Sequence, residues 1–199
     1  QHRKDIRMKY LTHKFLIVLL LITAGFLGAC GNKEKKHEII AYVDFKCPYC
    51  KKFDENIMSK ITKSYIDTDK ATVTYVNAAI LGDESKLGSA ATHAVKDMAP
   101  EKYLEFKTAI FKHQGPISKM WLTEAFLDKE IDKLKLNDQI TRNIKNAYKD
   151  KNSQAWKNMK ADQKRIEKEK IEEIPAIKID GKLVKDVHDY NDIKTQLDQ

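Results

Sequence analysis

Cysteine is scarce in this sequence: three in 199 residues, at Cys30, Cys47 and Cys50. There is no second Cys-x-x-Cys. The six histidines (His2, His13, His37, His93, His113 and His188) include no pair at ligand spacing. A tetrahedral zinc site needs four ligands, commonly two such pairs, so the one Cys-x-x-Cys fits redox chemistry better than metal binding. Neither a metal nor another cofactor is expected. No basic stripe with interleaved aromatics is present, which argues against a nucleic-acid partner. The apolar run at residues 15–27 is short for a membrane span.

What the chain does have begins with its charge. The net charge is +8. Much of the excess sits in the first 29 residues, where Arg3, Lys4, Arg7, Lys9 and Lys14 face only Asp5. A basic start followed by a short apolar run reads as a signal peptide over residues 1–29. Met8 is a candidate initiator. The run ends in Leu27-Gly28-Ala29-Cys30, which resembles the lipobox of bacterial lipoproteins. That resemblance implies cleavage before Cys30, diacylation of Cys30, and an extracytoplasmic protein held at the cell membrane by lipid. The competing reading is an ordinary signal peptide with a spare cysteine. Residues 30–37 are short, polar and charged, and read as a tether. With Cys30 lipidated, only Cys47 and Cys50 remain. No structural disulfide is then expected, and the core must carry stability alone.

The stretch around Cys47-Pro48-Tyr49-Cys50 carries the chemistry. It follows an apolar β-rich run, residues 38–45. Ile39, Ala41, Val43 and Phe45 occupy one face of that run, and Ile40 and Tyr42 make the other face apolar too, as in a central strand. A helical pattern follows, with Phe53, Ile57, Ile61 and Tyr65 on one face. Cys47 therefore falls at a helix N-terminus. Unpaired N–H groups and the helix dipole there favour an anion, and the thiolate is the reactive form of cysteine. Pro48 suits the first turn, where its missing N–H costs nothing. Cys50 lies one turn further in, less exposed and able to close a disulfide with Cys47. Asp44 has two readings: a polar strand end, or a carboxylate assisting proton transfer from Cys50.

The rest of the chain reads as β, a long helical stretch, then β again. Residues 71–80 are rich in Val, Thr and Tyr and form a second strand, parallel to the first. Leu87, Ala90, Ala91, Ala94, Val95 and Met98 make a helical stripe. Pro100 opens another helix, and Gly115-Pro116 is a break. Thr123 and Asn137 look like N-caps, and a charged helix occupies residues 153–170. Ala176, Ile177 and Ile179 form a strand, Asp180-Gly181 a hairpin turn, and Asp189 caps a last helix.

That order, βαβ, helical insert, ββα, with Cys-x-x-Cys after the first strand and Pro175 opening the third, resembles the thioredoxin fold. The insert resembles the DsbA family. Residues 43–50, Val-Asp-Phe-Lys-Cys-Pro-Tyr-Cys, resemble DsbA-like lipoproteins of Gram-positive bacteria. The fold class is accordingly α/β, with a thioredoxin-like domain at 38–81 and 171–199 and an all-helical insertion at 82–170. The resemblance implies that Cys47 attacks and Cys50 resolves, and that Pro175 is cis and faces them. It also implies that Pro48, Tyr49 and Ile174 meet the substrate. Ile174 departs from the Thr or Val common at its position. The implied activity is thiol-disulfide exchange, with an oxidase donating the Cys47–Cys50 disulfide to unfolded secreted protein thiols as the leading reading. The chain would act as a monomer. The reoxidant is not legible in these residues. A reductase or isomerase remains the same-class alternative. A metal- or protein-binding lipoprotein is the alternative from another class.

Overall fold

The computed structural model describes residues 36–199. The signal segment and Cys30 lie outside the described residues. Strand β1 (His37–Val43) is central. It pairs in parallel with β2 (Ala71–Asn77) on one side and antiparallel with β3 (Ala176–Ile179) on the other. The short β4 (Lys182–Leu183) completes a four-stranded sheet in the order β2-β1-β3-β4. The central place of β1 explains its unbroken apolar character. Ile39, Ala41, Val43 and Phe45 enter the main core, while Ile40 and Tyr42 join Val76 and Ala176 in a smaller one. Between β3 and β4, Asp180 and Gly181 both have positive φ, at 49° and 81°. Two such residues make the turn whose twist suits a two-residue hairpin.

Helix α1 occupies residues 48–66. Its apolar residues stand four apart, and in a regular α-helix that row would drift about 40° at each step. The helix instead widens into π-turns at Asp54–Met58 and Thr62–Ile66. The unwinding keeps Phe53, Ile57, Ile61 and Tyr65 on the sheet side, all buried. After β2 come α2 (Asp83–Met98), a 3-10 turn (Pro100–Lys102), α3 (Tyr103–Lys112), α4 (Glu124–Lys133), α5 (Asp138–Lys149) and α6 (Gln154–Lys168). Side-chain caps start three of them. Thr123 accepts from Phe126 N–H at 3.3 Å, Asn137 from Ile140 N–H at 2.9 Å and Ser153 from Trp156 N–H at 3.4 Å. Asp189 caps the last helix, α7 (Tyr190–Leu197). Among the described residues no helix is long and apolar enough to cross a membrane.

Two strand ends differ from the sequence pattern. β1 ends at Val43, not at residue 45. β2 ends at Asn77, not at residue 80. Ala78 N–H still reaches Val43 O at 2.7 Å, but Ala79 turns to a φ of 48°. The N–H groups of Ile80 and Leu81 then go to the Asp44 carboxylate, at 2.9 and 3.2 Å, so these residues have no strand partner to take.

Candidate active site

The Cys-x-x-Cys sits where β1 hands over to α1. Cys47 is the residue before the first helical turn, extended at φ −74° and ψ 117°. Pro48 opens the helix, where no N–H is missed. Both cysteines are free thiols; Cys50 is fully buried and Cys47 is 6% exposed. Tyr49 between them is 63% exposed and Pro48 is exposed as well, so the motif presents these two side chains to solvent around a recessed sulfur. The Ile174–Pro175 peptide is cis. Pro175 is buried, and the Ile174 carbonyl lies 3.9 Å from the Cys47 sulfur. Residues from opposite ends of the chain thus meet at one sulfur, because β3 lies beside β1.

The two thiols are electrostatically unequal. The Cys50 thiol donates to the Cys47 sulfur, and this is the largest cause holding the Cys47 pKa down, to about 6. The backbone N–H groups of Cys50 and Tyr49 act in the same direction, while burial and the Asp44 charge oppose them. Cys50 is pushed far up, first by its hydrogen bond to Cys47, then by burial and by the Cys47 charge. One sulfur is a thiolate near neutral pH and the other keeps its proton.

The turn before Cys47 is tied by a buried carboxylate. Asp44 is fully buried. One oxygen accepts from Lys46 N–H at 2.9 Å and from the Ser85 hydroxyl; the other accepts from Ile80 and Leu81 N–H. Its carbonyl accepts Cys47 N–H at 3.0 Å, and its own N–H points at the Cys50 sulfur at 3.4 Å. Lys46, next to Cys47, is buried in an ion pair with Glu84 in the first turn of α2. Among the described residues no three His, Cys, Asp or Glu side chains converge as a metal site. His93 is occupied structurally, paired with Asp162 at 2.9 Å.

Two features were not legible in the sequence. Lys107 of α3 is buried, forms an ion pair with Asp54 of α1 and donates to the Tyr75 hydroxyl at 3.1 Å. Gln114, just after α3, donates from Nε2 to Phe45 O at 2.7 Å and to Cys47 O at 3.1 Å. Lys107 is part of an ordinary amphipathic pattern. Gln114 adjoins the Gly115-Pro116 break, and a break signals an end of helix without saying what the neighbouring side chain touches.

A family model described as thioredoxin matches residues 28–199. The chain belongs to the thioredoxin family. Within it, this is a thiol-disulfide oxidoreductase of the DsbA-like kind. It is 27% identical over 169 residues to disulfide bond formation protein D of Bacillus subtilis (strain 168), covering 85% of this chain and 74% of that protein. Among solved structures it is similar to oxidised BdbD from Bacillus subtilis, with a TM-score of 0.72 and 24% identity over 84% of this chain and 89% of that one. It is also similar to MdbA, a thiol-disulfide oxidoreductase from Corynebacterium diphtheriae, with a TM-score of 0.64 and 26% identity over 83% and 86%. The sheet order and the helical insertion found here are those of an α/β thioredoxin-like fold.

Proposed function

We propose that this oxidoreductase works as an oxidase, donating the Cys47–Cys50 disulfide to secreted protein thiols. A substrate thiolate attacks the Cys47 sulfur of the disulfide, and the bond to Cys50 breaks. Cys50 leaves with the electron pair and takes a proton, as its raised pKa favours. A second substrate thiolate attacks the substrate sulfur of the mixed disulfide. A substrate disulfide forms and Cys47 departs as a thiolate. The observation that carries the direction is the depressed Cys47 pKa, because a stable leaving thiolate favours the reduced enzyme. Against an ordinary thiol near 8.5, a pKa of about 6 favours the reduced form about tenfold at pH 7, or about 30 mV. The name of the Bacillus subtilis relative, disulfide bond formation protein D, supports the same direction.

In this reading Pro48 and Tyr49, both exposed, together with Ile174, meet the incoming peptide. Pro175, buried next to Ile174 in the chain, backs this docking surface. Asp44 serves as the polar strand end. An ionised carboxylate has about four acceptor directions, and four donors already occupy them, which speaks against Asp44 as the carrier of the Cys50 proton. Equilibration with glutathione at pH 7 tests the direction. The expected potential lies tens of millivolts above the thioredoxin value of about −270 mV. A value at or below that level would make the protein a reductase.

We also assign the protein to the extracytoplasmic face of the cell membrane, tethered through lipid on Cys30. Basic residues, a short apolar run and Leu27-Gly28-Ala29-Cys30 support this. Cys30→Ala in cells should move the protein from the membrane fraction to the soluble or secreted one. Unchanged membrane retention would refute the anchor.

A further inference from the structure

We infer that Gln114 is a positioning residue for the redox dithiol: its side-chain amide clamps the Phe45 and Cys47 carbonyls and thereby holds the Cys47 sulfur over the first turn of α1. This rests on the reading of Cys47 as the attacking sulfur.

The turn between β1 and α1 has its polar groups divided between two residues. Asp44 takes the N–H groups: Lys46 N–H on its carboxylate at 2.9 Å and Cys47 N–H on its carbonyl at 3.0 Å. Gln114 takes carbonyls, using both hydrogens of one amide nitrogen, on Phe45 O and Cys47 O. The Cys47 carbonyl is also the first acceptor of α1, receiving Lys51 N–H at 3.2 Å. The bond from Gln114 therefore acts at the peptide that fixes ψ of Cys47 relative to the helix axis. For the sulfur to accept from the Tyr49 and Cys50 N–H groups, Cys47 must keep its extended ψ of 117°. A few tens of degrees of rotation there would carry the sulfur off those donors.

Gln114 is itself held from three sides. The Lys107–Asp54 ion pair docks α3 on α1, and the Phe111 ring lies 5.0 Å from that of Phe45. Gln114 N–H bonds to Phe111 O at 3.1 Å. At the next residue a Cβ would meet the Trp121 side chain at 2.7 Å, so only glycine lets Trp121 close over Gly115. The amide thus reaches the dithiol from a fixed base in the helical insertion, which couples the insertion to the chemistry of the thioredoxin-like half. The titratable groups facing the Cys47 sulfur are Cys50 on α1 and Asp44 at the end of β1. Neither is altered by changing Gln114 to another neutral residue.

The test is the pH titration of the Cys47 thiolate in the reduced protein, read by ultraviolet absorbance and by the rate of alkylation, without any substrate. Gln114→Met keeps the length of the side chain and removes both donors. Gln114→Glu replaces the donors by acceptors. In the Met variant the thiolate population at pH 6 should fall about threefold to tenfold, and the equilibrium with glutathione at pH 7 should move toward the disulfide by about fourfold to sevenfold. The Glu variant should move further in the same direction. A purely structural role would lower the unfolding midpoint and leave the thiolate titration where it was; that result in either folded variant overturns the proposal. Mapping the alkylated residue separates the two readings. Initial alkylation at Cys50 in the unsubstituted protein would sink the attacking role of Cys47 and this proposal with it. An unshifted Cys47 titration in Gln114→Met sinks this proposal alone.

Discussion

Cys47→Ala is expected to abolish disulfide exchange, by at least about four orders of magnitude against the unsubstituted enzyme, while Cys50→Ala should convert the enzyme into a trap. With a pKa of about 6, roughly nine-tenths of Cys47 is thiolate at pH 7. The Cys50 thiol is fully buried and its pKa is pushed far up. Only one of the two sulfurs is therefore available to react from outside. Removing Cys47 removes the nucleophile and the point of attack together. Removing Cys50 leaves a sulfur that can still enter a mixed disulfide, but cannot be released by its neighbour. In Cys50→Ala the Cys47 pKa should also rise, because the largest cause of its depression is the hydrogen bond from Cys50. The trap should thus work more slowly at pH 6 than at pH 8. Non-reducing gels of cells expressing each variant, with turnover of a reduced, unfolded protein, measure both effects. Adducts on Cys47→Ala but not on Cys50→Ala would overturn the assigned roles, as would turnover by Cys47→Ala at a level near that of the unsubstituted enzyme.

The stability difference between the reduced and oxidised forms is expected to swing by about 2.5 kcal/mol between about pH 5 and about pH 8.5, in favour of the reduced form. Two effects compete. Closing the four-residue loop from Cys47 to Cys50 restricts the unfolded chain and stabilises the disulfide form by about 2 kcal/mol. The reduced form gains instead from ionisation. The folded pKa of Cys47, about 6, lies below the unfolded value of about 8.5. A depressed folded pKa gives stability that is fully present above the unfolded value and is lost as pH falls through the folded one. The gain therefore grows from pH 6 to about pH 8.5, reaching roughly 1 kcal/mol at neutrality and roughly 3 kcal/mol at the upper end. Cys50 has the opposite sign. Its raised folded pKa means that the unfolded chain ionises first, so the reduced form loses stability above about pH 8.5. The two redox forms should be nearly matched around neutral pH, with the oxidised form ahead in acid and the reduced form best placed near pH 8. Urea unfolding of both forms across this range gives the difference directly. A difference flat with pH would mean that the Cys47 thiolate is not stabilised in the fold, and the case for an oxidase would go with it.

Local patterns in the sequence determined the elements of this protein and their order. The two apolar faces of residues 38–45 required a strand covered on both sides, and β1 is an interior strand with a core on each face. Thr123, Asn137, Ser153 and Asp189 mark helix starts because capping is chemistry within three residues. The Cys-x-x-Cys after a strand and before a helix is likewise local, and so is the placing of Cys47 ahead of the first helical N–H groups. Tertiary structure decided the rest. It brings the Ile174 carbonyl to the Cys47 sulfur through the pairing of β3 with β1, a contact across more than a hundred residues. The end of β2 was decided by Asp44, which draws away the N–H groups of Ile80 and Leu81; no propensity in residues 78–81 encodes a carboxylate supplied by another strand. The largest cause of the Cys47 shift is a directed hydrogen bond from Cys50, and helix placement alone does not fix its geometry. Gln114 was beyond the reach of pattern altogether. Periodicity reports which face of a helix is apolar, whereas the partner of a single amide past the helix end depends on how α3 docks, and that docking is set by the buried Lys107–Asp54 pair and the Phe45–Phe111 contact.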